Sequence, residues 1–137
     1  VGGTLDLEQS KIADLNNLET VDGALCLFGC KNLKSFGKLK EVKGRISLSH
    51  TPITKVPDFI VNVNGDLGLN CLNIEDLNNV KRVNGSLYLS YTSKLKSFGK
   101  LKIVTGNIYL KDSNILNIMS EKEIRKQVKI KKNILRW

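Results

Sequence analysis

This 137-residue chain has few of the residues that usually carry chemistry: one histidine, one methionine, one tryptophan, two prolines and three cysteines, with aromatics at 6%. The lone His50 argues against a histidine-rich metal site. Cys26, Cys30 and Cys71 are an odd number in a chain long enough to bury a core, so no disulfide framework is expected. No apolar run approaches the roughly 20 residues of a membrane span. Disorder is excluded as well, because 41% of the residues are hydrophobic and 26% charged, the composition of a soluble globular domain. A methionine start and a signal peptide are missing too. Val1 falls inside a repeating phrase, so residues upstream are expected to belong to the protein, and the cytoplasm or a virion-like assembly is favoured over secretion.

What the chain does have is repetition. The phrase V-x-G-x-[LI]-x-L occurs six times, starting at Val1, Val21, Val42, Val63, Val83 and Val104, in steps of 20, 21, 21, 20 and 21 residues. Alternating L-x-L reads as a short strand with one face inward, and the preceding glycine as a corner. Between phrases runs a period of three: Ile12-Leu15-Leu18, Leu33-Phe36-Leu39, Ile53-Val56-Phe59, Ile74-Leu77-Val80, Leu95-Phe98-Leu101 and Ile115-Ile118. So short a repeat leaves no room for an average α-helix, and the return limb is expected to be extended or 3₁₀-like. Offsetting the chain by 62 residues superposes 33–40 (LKSFGKLK) on 95–102, identical at every position. Two three-coil blocks, 1–62 and 63–124, therefore look duplicated. The expected fold is mainly β: a parallel β-solenoid of six coils over 1–119, followed by a basic capping helix and tail over 120–137.

With its L-x-L strands and an aliphatic residue five or six positions later, the chain resembles the leucine-rich repeat. It is closest to the receptor L-domain-like variety and to short bacterial and phage repeat proteins. At the consensus asparagine it carries Ser10, Cys30, Thr51, Leu72, Thr92 and Ser113, and only Pro57 follows the bacterial proline habit. The resemblance implies a recognition scaffold rather than an enzyme. Small hydroxyl and thiol groups can still bond a corner backbone in place of the asparagine ladder.

After Ile118 the pattern changes. Ser120-Glu121-Lys122-Glu123 reads as a capping box, and Ile124, Val128, Lys131 and Leu135 share a helical face with Ile134 beside them, which predicts a capping helix over 121–133. The strand at 4–7 is left with a bare edge, to be covered by missing residues or by another chain. Net charge is +1 over 1–62, +3 over 63–119 and +5 over 120–137, where Lys122, Arg125, Lys126, Lys129, Lys131, Lys132 and Arg136 lie. Such a run is either a solvated face or a site for a polyanion or an acidic protein.

No catalytic set, metal site or cofactor site emerges. Cys26 is expected outward and Cys30 inward, Asp14 and Asp76 belong to separate coils, and no phosphate-binding glycine loop is present. The expected function is non-catalytic protein recognition through the strand face. A structural part of a viral or phage-like assembly, or polyanion binding by the basic tail, are the alternatives. Tyr88 and Tyr109 should stand one above the other, with Tyr91 just past the strand. Together with Lys111, and with Arg45 and Phe28 at the margin, they either form the contact patch or simply stabilise the ladder.

Overall fold

A computed structural model describes all residues, 1–137, and shows a parallel β-solenoid. The L-x-L segments form one seven-stranded parallel front sheet: Leu5–Asp6, Leu25–Cys26, Ile46–Ser47, Leu67–Gly68, Leu87–Tyr88, Ile108–Tyr109 and Ile134–Leu135, in chain order. We number the coils 1 to 7 by these strands. Every rung pairs in one register, Leu25 on Ile46 on Leu67 on Leu87 on Ile108, so each inward aliphatic meets its counterpart in the next coil. The repeat length sets this alignment, because parallel strands about 4.8 Å apart stack equivalent residues.

The phrase-opening valines form the rear. There Thr20–Val21 pairs with Glu41–Val42, and a separate sheet joins Asn62–Val63, Arg82–Val83, Ile103–Val104 and Lys129–Ile130. The core is one continuous cluster running from Leu15 to Ile134. The return limb is turns in which one i to i+3 bond recurs in coils 1 to 6: the N–H groups of Leu18, Leu39, Ile60, Val80, Leu101 and Ile118 donate to the carbonyls of Leu15, Phe36, Pro57, Leu77, Phe98 and Ile115. Period three in the sequence is this bond. In the third coil the buried position is Ile60, whereas the expected Phe59 is only half-buried. Ile118, expected inward, is 51% exposed.

A left-handed corner follows each of the first six front strands, at Gln9, Gly29, His50, Cys71, Tyr91 and Asp112, with φ between 53° and 71°. The next residue turns into the stack, and except at Leu72 in coil 4 it carries a hydroxyl or a thiol. Thr51 and Thr92 hydroxyls donate to the Leu48 and Leu89 carbonyls, the Cys30 thiol donates to Leu7 O at 2.9 Å, and the Thr92 and Ser113 hydroxyls meet at 2.7 Å. Hydroxyl and thiol groups thus do much of the corner work here, and no buried side-chain polar atom lacks a partner.

The tail departs from expectation. Its capping box forms as read, the Ser120 hydroxyl accepting from Glu123 N–H and the Glu123 carboxylate accepting from Ser120 N–H, but the helix spans only Glu121–Gln127, not 121–133. Beyond it the chain straightens and adds a seventh rung: Lys129–Ile130 pairs with Ile103–Val104, and Ile134–Leu135 with Ile108–Tyr109. Ile124, Val128, Ile130 and Ile134 are buried, while Lys131 is exposed. The open edge of the sixth coil offers a ladder of unpaired backbone groups, and satisfying them outweighs the helical spacing of the tail.

Candidate functional site on the front sheet

The outward side chains of the front sheet are set by strand alternation, so each coil contributes a short row. Coil 4 has Asp66, Gly68 and Asn70, and Gly68 alone among the central outward positions has no side chain. Above and below it the sheet is built up, which leaves a depression of about 260 Å³ lined by Phe28, Arg45, Ile46, Ser47, Ser49, Asp66, Gly68, Asn70 and Tyr88. Three of the predicted residues, Phe28, Arg45 and Tyr88, therefore gather around one notch. Tyr109 stands behind Tyr88, the two rings parallel within 2° and their centroids 4.5 Å apart. Burial, followed by the nearby Asp66 charge, raises the Tyr88 hydroxyl above its usual range, so it stays neutral at physiological pH and able to donate.

The rim is rigid. Asn70 N–H donates to the Ser49 hydroxyl at 2.9 Å, and the Asn70 side-chain oxygen accepts from Ser90 N–H at 2.8 Å. At the opposite strand end the Asp66 carboxylate accepts from Ser86 N–H at 2.7 Å, and the Ser86 hydroxyl accepts from Asn107 N–H. These cross-coil bonds hold acceptors and donors in place before any ligand arrives.

The other predicted residues lie elsewhere. Tyr91 and Lys111 form their own pair past the strand ends, the ammonium 5.6 Å from the ring centroid, and the Tyr91 hydroxyl holds that ammonium's pKa up. The basic tail residues do not share one helix face. Arg125 donates to the carbonyls of Ile130 and Lys132, which ties the helix to the seventh rung. Lys129 belongs to a rear strand, Lys131 and Lys132 follow it, Lys126 sits in the last helical turn, and Lys122 and Arg136 border a shallow cavity with Leu116 and Met119.

Cys26 does point outward, yet neighbouring coils bury it to 3% exposure, and that burial raises its thiol pKa. His50 Nε2 lies 3.5 Å from the Cys71 thiol, while the imidazole packs on Phe28 with centroids 5.0 Å apart. Desolvation raises the Cys71 pKa, opposite to the depressed value a nucleophilic thiolate needs. No group of three or more His, Cys, Asp or Glu residues converges to hold a metal ion. No helix is long and apolar enough to cross a membrane.

Gly68, Ser49, Asp66 and Asn70 belong to the notch without having been singled out from the sequence. A signal existed, because Gly68 interrupts an outward row in which every other coil carries a side chain. No protein-family model matches the chain, and no curated protein or solved structure matches it either.

Proposed function

We propose that the chain is a non-catalytic recognition module of leucine-rich-repeat-like kind that binds a protein through its front sheet. The observation that carries this reading is the notch over Gly68. It is a pre-formed depression that combines an aromatic wall (Phe28 and Tyr88), a cation (Arg45) and fixed polar groups, the mixture enriched at protein interfaces. A protruding apolar or tyrosine side chain of a partner fits it, with Asp66 and Arg45 offering charges of both signs. The Tyr88–Tyr109 stack braces one wall.

The test fills the notch. In Gly68→Val the closest atoms to a Cβ would be the rotatable hydroxyls of Ser49 at 3.2 Å and Ser47 at 3.4 Å, with the Ser47 Cα at an ordinary 3.6 Å, and valine suits a strand, so the fold should tolerate it. A partner captured by the unmodified protein should bind Gly68→Val, and the double variant Tyr88→Ser/Tyr109→Ser, weaker by more than about 1 kcal/mol, with little change in melting temperature. Undiminished binding by both variants would remove the proposal. Unchanged binding with a lowered melting temperature would assign the tyrosines to the fold alone.

A polyanion is the second reading, and the rear sheet favours it. In coils 1 and 2, Glu19 and Asp22 neutralise Lys40 and Lys43. In later coils Lys81, Arg82, Lys102, Lys129 and Lys131 are exposed and have no ion-pair partner. Affinity for heparin or single-stranded RNA should then fall steeply with salt as counterions are released, and a salt-independent complex would exclude this reading.

A further inference from the structure

The stack is not uniform. Along the rear, the carbonyls of Glu19, Val61, Lys81 and Lys102 each accept from the following coil, and so do those of Val21, Val63, Val83 and Val104. The equivalent carbonyls of coil 2, Lys40 and Val42, accept nothing, and no backbone N–H of 52–64 reaches any carbonyl of 31–43. The rear pairing stops there too, between Glu41–Val42 and Asn62–Val63. In front, the same two coils remain joined, with Leu25, Leu27 and Gly29 N–H groups donating to Arg45, Ser47 and Ser49. Coils 2 and 3 are therefore hinged in front and parted behind.

The duplication supplies an internal control. Segments 33–40 and 95–102 are identical, yet Phe98 is 1% exposed and Phe36 only half-buried, and Lys102 O is bonded where Lys40 O is free. The difference lies in the following coil. Coil 3 holds both prolines of the chain, Pro52 and Pro57, neither of which has an N–H to give. The rings of Phe36 and Phe59 meet edge-on across the gap, centroids 6.1 Å apart, and prop it open.

Beside this seam lies a cleft of about 570 Å³, with Phe36, Pro52 and Pro57 as its accessible apolar lining over the buried Leu33, Ile53 and Val56. Lys31 and Lys34 stand on one lip without an ion-pair partner, while Lys55 on the other is taken by Asp58 at 3.0 Å. Asp58, also held by the Asn78 amide at 2.6 Å, cancels the Lys55 charge, so Lys31 and Lys34 leave the cleft net cationic.

We propose that this seam is a docking cleft for an extended acidic peptide, separate from the front-sheet notch. Within the cleft, one lip presents the unpaired carbonyl of Lys34 and the other the unpaired N–H of Lys55; beyond it, along the rear seam, the carbonyls of Gly37, Lys40 and Val42 and the N–H groups of Phe59, Val61 and Asn62 are unpaired as well. An extended backbone carries donors and acceptors along both edges and can bond both lips at once, while alternate side chains enter the apolar lining or face Lys31 and Lys34. Charge complementarity selects acidic residues at the outward positions.

The test uses a fluorescent pool of octapeptides alternating Glu with Val, Leu or Phe, a matching pool with Lys in place of Glu, and polyuridylate, each added to the full chain. The Glu pool should bind. Lys31→Glu/Lys34→Glu, at two exposed positions, should weaken it about tenfold or more, and Gly68→Val should not. Amide exchange at Lys55, Phe59, Val61 and Asn62, fast in the free protein, should slow when peptide is bound. Equal binding of the Lys pool, stronger binding of polyuridylate, no binding of the Glu pool, or binding without slowed exchange at these amides would each overturn the proposal. Loss of binding through Gly68→Val would assign the peptides to the front sheet instead.

Discussion

Replacing Gly85 by alanine is expected to lower the stability of the solenoid by about 2–3 kcal/mol, the upper part of the usual range for overpacking. The corner glycines stack on one another coil by coil, and Gly106, Gly44 and Gly23 each donate an N–H to the glycine carbonyl of the coil before. A Cβ on Gly85 would lie 2.6 Å from the Gly65 carbonyl carbon and from Asp66 Oδ1, and 2.7 Å from Gly65 O. Backbone cannot yield there, because front and rear sheets hold the coil spacing on both sides of the corner. The Asp66 bond to Ser86 N–H would be strained by the same atom. Gly2→Ala is the control, since its Cβ would meet nothing closer than Asp22 Oδ2 at 3.9 Å. Urea unfolding followed by circular dichroism reads both variants. An unchanged midpoint for Gly85→Ala would show that the corner has slack the close approach does not suggest.

Removing 120–137 is expected to abolish the monomeric fold. The truncated sixth coil would lose the acceptors of Ile108 and Leu110, whose N–H groups donate to the carbonyls of Asn133 and Leu135. The donors to the Lys102 and Val104 carbonyls would go with it. Four buried side chains, Ile124, Val128, Ile130 and Ile134, would leave, each contributing about 1.5–3 kcal/mol of burial. What remains is an apolar, unpaired edge of the kind that recruits other chains. Size-exclusion chromatography should show large oligomers or precipitate. Deleting only Trp137, which is 81% exposed, should change nothing. A monomeric 1–119 fragment that melts at the same temperature would show that the seventh rung is an ornament rather than a cover.

Much of the architecture was legible because a solenoid writes its geometry into its repeat length. Valine, glycine and leucine spacing placed the front strands, the corners and the inward rows, and the 3₁₀-type bonds followed the period of three. The same spacing put Tyr88 over Tyr109, because equal repeat lengths force equal positions into one column. The candidate site was legible only in part. Phe28, Arg45 and Tyr88 do meet, but what turns them into a concave surface is the side chain that Gly68 does not have.

The tail misled because local spacing carries two readings. Ile124, Val128 and Leu135 fit a helical face, while Val128, Ile130 and Ile134 fit alternate strand positions, and only the open edge of coil 6 decides between them. Helical preference wins through Gln127, where the capping box and first-turn acids support it. Beyond that, unpaired backbone groups on the sixth coil draw the chain into the ladder.

By itself the sequence determined the number and register of the first six coils, the glycine corners, the hydroxyl and thiol row, and the start of the terminal helix. Each follows from interactions within a repeat or from the repeat length alone. Only the tertiary structure decided the seventh rung, the burial of Cys26, the notch at Gly68 and the seam between coils 2 and 3. The two identical octapeptides at 33–40 and 95–102 show why. A coil in a stack is half surface and half interior until the next coil arrives, so its burial and its free carbonyls are properties of its neighbour rather than of its own residues.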